Sequence, residues 1–148
     1  MEEPVNGRFV IQSKFGRFAA YGLLGWCGEV VFTGIHDFIR SRDARLPSRT
    51  SIWMFPIYGL MAPLYEPVHE SLRDRPILVR GVAYGAGFLA VEYTSGLLLR
   101  KLLGDAPWDY SYARRHVNGL IRPDYFPLWA AAGLAMERVH DVLTGRTP

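Results

Sequence analysis

Four glutamates stand inside otherwise apolar blocks of the chain, and two of them carry a histidine three positions on. Glu29, Glu66, Glu92 and Glu137 each fall in a different block, and the two pairs read Glu66-Pro67-Val68-His69 and Glu137-Arg138-Val139-His140. Helix positions three apart share a face, so each His stands on the same side as its Glu. A Glu from each of two helices plus Glu-x-x-His from each of the other two is the ligand set of di-iron and di-manganese carboxylate bundles. Carboxylate oxygens bridge and neutralise two divalent ions, and imidazole completes an open coordination sphere suited to iron. The pattern therefore predicts a centre for two iron or manganese ions, with Glu29, Glu66, His69, Glu92, Glu137 and His140 as ligands. The competing reading is structural: His69 and His140 at an interface, Glu66–Arg138 or Glu137–Arg80 as ion pairs, and Pro67 twisting His69 away from Glu66. Neither reading decides whether the protein is an enzyme. His36, seven positions after Glu29, is an extra ligand or relay member on the first reading and an interfacial residue beside Asp37 on the second.

Helices must position these groups, and the charge-poor blocks say which ones. The chain has 148 residues, 49% hydrophobic and 14% aromatic, which excludes disorder and leaves little room beyond one domain. Residues 18–39, 52–65, 81–99 and 125–136 are nearly free of charge. About 20 largely apolar residues cross a bilayer. The expected fold is all-α: a multi-pass integral membrane four-helix bundle, one membrane domain over 1–148, with spans near 17–40, 51–72, 77–103 and 125–144. An ionisable group at membrane depth costs at least about 2.5–3.5 kcal/mol, so the four carboxylates should face one another inside the bundle. Counting from helix midpoints puts them within about 10 Å along the bundle axis.

The remaining features fill in this picture. Gly81 and Gly85, Gly22, Gly25 and Gly28, and Ala131 and Ala135 supply small surfaces for close helix packing. Pro56, Pro63 and Pro67 break the second helix. No internal repeat is read. Fifteen of the seventeen cations are Arg, dispersed between apolar blocks, which favours headgroup anchoring to a lipid bilayer and argues against a nucleic-acid partner. The single Cys27 excludes an internal disulfide and a cysteine-rich zinc site. No secretory signal pattern opens the chain, and no P-loop occurs, so an ATPase would have to be a separate subunit. Trp108-Asp109-Tyr110-Ser111 combines interfacial aromatics with an Asx-type turn, as a cap over the bundle or as a lid or substrate contact.

Gly25-Trp26-Cys27-Gly28-Glu29, Pro56-Ile57-Tyr58-Gly59, Glu92-Tyr93-Thr94-Ser95, Trp108-Asp109-Tyr110-Ser111 and Asn118-Gly119 stand in the order and spacing of a known family. From about Tyr21 to His140 the chain resembles the CmpB-like putative ABC-transporter type IV family, and is most similar to its branch with the vertebrate transmembrane protein 229 relatives. The resemblance implies a multi-pass membrane protein and brings no substrate with it. The two Glu-x-x-His pairs are not part of that family pattern. Three functions are then expected candidates. The first is a membrane-embedded transport component working with a separate ATPase subunit or as a homo-oligomer. The second is a di-metal carboxylate oxidoreductase acting on a lipid-like substrate, and the third is an assembly factor without chemistry.

Overall fold

The computed structural model describes residues 10–146, and within them the protein is all-α. Ser13 starts α1 (Lys14–Ser41) by accepting from the Gly16 N–H at 2.9 Å, and Arg42 ends it in the left-handed region at φ 58°. The second arm is interrupted, as its prolines predict. It comprises α2 (Met54–Gly59), a π-helical turn (Met61–Tyr65) and α3 (Glu66–Leu72). Pro63 and Pro67 have no N–H to offer the preceding turn, and the backbone widens there instead of closing regular i to i−4 bonds. Next come α4 (Ile77–Leu103), stopped by Gly104 at φ 89°, and α5 (Phe126–Thr144), stopped by Gly145 at φ 72°. The connection from α4 to α5 contains one isolated antiparallel bridge, Val117 to Ile121, around Asn118-Gly119. Both turn residues have positive φ, 54° and 70°, which is the backbone that Asn-Gly favours.

The arms pack as two hairpins, α1 against α2 and the π-helical turn, and α4 against α5. Glycines set these contacts. A Cβ at Gly22 would meet Phe55 at 2.7 Å, and one at Gly25 would meet the Tyr58 ring at 2.2 Å. In the second hairpin, Gly85 faces Phe126 at 3.0 Å and Gly133 faces Tyr84 at 2.3 Å. Gly28 and Gly87 have no neighbour within 4 Å of that position, so they open space where the others close it.

The fold overturns the expectation that the chain has no internal repeat. Arg17, Ala20, Tyr21, Gly22 and Glu29 of α1 recur as Arg80, Ala83, Tyr84, Gly85 and Glu92 of α4, 63 positions on. Phe55, Pro56, Glu66, Val68 and His69 recur as Phe126, Pro127, Glu137, Val139 and His140, 71 positions on. Tyr58 and Glu70 have Trp129 and Asp141 as counterparts at the same 71-residue offset. The second hairpin is thus a copy of the first with a longer connecting loop, and both copies begin at the same end of the molecule.

α1 and α4 are long and apolar enough to cross a membrane, and only 17% and 22% of their apolar windows are buried. They have 28 and 27 residues, against 19 in α5. The long helices therefore run about 13 Å beyond the short one, and helix midpoints do not share a level.

Candidate functional site

At the end where both hairpins start, eight paired residues form a reciprocal clasp. Arg17 grips Glu66 through two bonds, Nε to Oε1 at 2.6 Å and Nη2 to Oε2 at 2.9 Å. Its counterpart Arg80 donates to Glu137 at 2.7 Å. Between each carboxylate and the imidazole of the other hairpin stands a tyrosine. The Tyr21 hydroxyl lies 3.2 Å from Glu66 Oε1 and 2.9 Å from His140 Nδ1. The Tyr84 hydroxyl lies 2.8 Å from Glu137 Oε1 and 2.9 Å from His69 Nδ1. Each hairpin thus gives a Tyr to the other's His, as two subunits do across an isologous interface. Tyr65 adds a bond across the hairpins to the Gly133 carbonyl at 2.7 Å.

The proton positions follow from donor counting. Tyr84 O–H donates to the Glu137 carboxylate, so His69 Nδ1–H donates to Tyr84. His69 Nε2 is then an acceptor, and Arg73 Nη2 supplies its proton at 3.0 Å while also bonding Asp141 at 2.6 Å. Hydrogen bonding to Asp141 holds the Arg73 guanidinium above its ordinary pKa, so this cation is permanent. On the other side, His140 Nε2–H donates to Glu70 Oε1 at 3.0 Å, and Arg146 pairs with the second Glu70 oxygen. His69 and His140 are 1% and 3% exposed, and their rings sit edge to face at 5.1 Å. These bonds satisfy the buried imidazoles, as groups removed from water require.

The predicted ligand residues divide between two levels. Glu66, His69, Glu137 and His140 meet at the clasp, with His69, Glu70 and His140 presenting donor atoms within 4.8 Å of one another. Glu29 and Glu92 do not join them. Each lies eight residues beyond the clasp tyrosine of its own helix, about 12 Å along the axis. The expected convergence of all four carboxylates therefore does not occur, because the unequal helices are aligned at the clasp end and not at their midpoints. Of the ion pairs that the sequence suggests, Glu137–Arg80 forms, whereas Glu66 takes Arg17 and not Arg138.

Glu29 and Glu92 line a cavity of about 1150 Å³ between the hairpins, which begins at the clasp tyrosines Tyr21 and Tyr84. Its wall is mostly apolar and rich in aromatic rings, with Phe32, Tyr58, Phe88 and Trp129 among them. Phe88 and Trp129 stack at 5.2 Å. Gly28 and Gly87 also face it, which explains why neither touches a side chain. Glu29 Oε2 and Glu92 Oε2 are buried without a hydrogen-bond partner.

The connection from α4 to α5 closes one side, and Trp108, Asp109 and Tyr110 all border the cavity. Trp108 Nε1 donates to the Leu120 carbonyl at 3.0 Å, and Asp109 accepts from the Ser111 N–H at 2.8 Å in the expected Asx turn. Tyr110 donates to Glu92 Oε1 at 2.8 Å. Burial pushes the Tyr110 hydroxyl pKa up and the Glu92 charge adds to it, so the phenol remains a donor. Arg17, Tyr21, Tyr84, Arg73 and Tyr58 were missed as site residues. For the first three, the signal was Arg-x-x-Ala-Tyr-Gly occurring twice.

Fold and site together define a helical protein of two matched hairpins, clasped at one end around a carboxylate-bearing, aromatic-walled cavity. Apolar helices of membrane-crossing length carry both halves. The chain belongs to the family described as Putative ABC-transporter type IV, whose family model matches residues 17–147. This makes the protein transport-related. No solved structure matches the chain.

Proposed function

We propose that the protein is a multi-pass membrane component of a transport system, with the cavity between its hairpins as the substrate site. The observation that carries this reading is the outward face of the two long helices. Leu23, Val31, Ile35 and Ile39 on α1 and Leu78, Val82, Leu98 and Leu102 on α4 are all at least half exposed. A water-soluble monomer rarely shows contiguous apolar surface beyond a few hundred Å². Lipid accepts such a face at no cost, and the polar groups turn inward to the clasp and the cavity.

Four spans follow, the first running from the clasp side and the rest alternating. Both hairpins then have the same orientation, as in transporter repeats related by an axis along the membrane normal. The clasp joins the two repeats at one surface and leaves their other ends free to change separation. Small rocking about that end changes access to the cavity, and a separate ATPase subunit supplies the work. Family membership supports the transport reading.

Single cysteines in a Cys27→Ser background test the topology. Arg45→Cys and Arg114→Cys should label from one face of sealed vesicles and Asp74→Cys from the opposite face. Labelling of all three from one face would contradict four spans.

A further inference from the structure

We propose that the cavity binds a lipophilic organic cation, an ammonium group on an apolar body, with the charged head between Glu29 and Glu92. This rests on the cavity being the substrate site and names what enters it.

Charge is the first observation. Among the described residues Glu29 and Glu92 form no ion pair, whereas Glu66, Glu70, Glu137 and Asp141 all have an arginine. One oxygen of each is buried without any partner. Of the charged side chains lining the cavity, Glu29, Asp37, Glu92 and Asp109 are acidic and only Arg49 is permanently cationic. A buried carboxylate oxygen with nothing to accept from is costly, and a cation inside the cavity removes that cost.

The second observation is the repeat. Glu29 and Glu92 are counterparts, as are Tyr58 and Trp129 beside them. The two halves therefore bring the same pair of groups, a carboxylate and an aromatic side chain, to one shared space. Aromatic faces attract a weakly hydrated cation, most strongly when desolvated. A bare calcium or magnesium ion would need six or more oxygen ligands. The apolar wall supplies few and suits an organic body.

Size is the third. Pockets for drug-sized ligands span about 300–1,000 Å³. This cavity, at about 1150 Å³, takes a body of that size. Gly28 and Gly87 create part of the room, and a larger side chain at either would occupy it.

The test is equilibrium binding of radiolabelled benzyltributylammonium to the full chain in zwitterionic nanodiscs, with empty discs as background. A neutral isostere, carbon replacing the ammonium nitrogen, is measured in parallel. The wild type should bind the cation saturably and the isostere at least about tenfold more weakly. Glu29→Gln and Glu92→Gln should each weaken binding about tenfold, and the pair about a hundredfold, from the loss of charge-assisted contacts. Gly87→Leu should abolish binding with an unchanged melting curve. Excess sodium or calcium should leave the cation bound. Equal affinity for cation and isostere, with both lost in Gly87→Leu, would overturn the cation and keep the cavity as the site. Binding untouched by Gly28→Leu and Gly87→Leu would overturn the cavity itself. No saturable binding by a folded wild type would overturn the proposal.

Discussion

Replacing Arg17 by Met should lower the stability of the protein by about 3–5 kcal/mol, the cost of leaving a buried charge without its partner. Glu66 is 6% exposed and receives two bonds from the Arg17 guanidinium, at 2.6 and 2.9 Å. Its remaining hydrogen bond, from the Tyr21 hydroxyl at 3.2 Å, cannot neutralise a carboxylate. The double variant Arg17→Met/Glu66→Gln should recover most of the loss, because the desolvation penalty disappears with the charge. Thermal and denaturant melts of the single and double variants in detergent read this directly. Additive losses in the double variant would mean that Arg17 and Glu66 contribute independently.

Tyr21→Phe and Tyr84→Phe should each cost about 1–3 kcal/mol, and together roughly the sum or more. Each change removes one hydroxyl that links a carboxylate of its own hairpin to the imidazole of the other. The two effects should be similar in size, since the residues are counterparts in a repeated unit. Limited proteolysis adds a second readout. If these bonds hold the hairpins together, the double variant should become cleavable at the 73–76 turn joining them before either hairpin melts. A double variant as resistant as the wild type would show that packing alone closes this end.

How much of this was legible in the sequence depended on range. The four helical arms follow from apolar blocks of about the right length, and the broken second arm follows from Pro56, Pro63 and Pro67. The two Glu-x-x-His pairs stand out in the sequence because i and i+3 share a face whatever the tertiary structure, and all four residues meet at the clasp. Their partners were not readable in the same way. Arg17 lies 49 positions from Glu66, and Tyr21 lies 119 from His140. Nothing local marks such contacts. The level of the carboxylates was misplaced for a physical reason: hairpins align where their side chains lock, here at the clasp, and unequal helices then offset their midpoints. The repeat was hidden by its two offsets, 63 in the first helix and 71 in the second, so no single period aligns both. Matched motifs Arg-x-x-Ala-Tyr-Gly and Glu-x-Val-His, compared separately, would have exposed it.

Cys27 offers the most direct test of membrane embedding without any substitution. It is the chain's single cysteine, exposed on the outer side of α1 near its middle and not part of the cavity wall. Charged thiol reagents need water and thiolate, and hydrocarbon supplies neither. In sealed vesicles treated with such a reagent on both faces, Cys27 should remain unlabelled, then react to completion once the protein is dissolved in dodecyl sulfate. Prompt labelling of Cys27 in the intact vesicles, at the rate of a free thiol in water, would contradict a membrane-spanning α1.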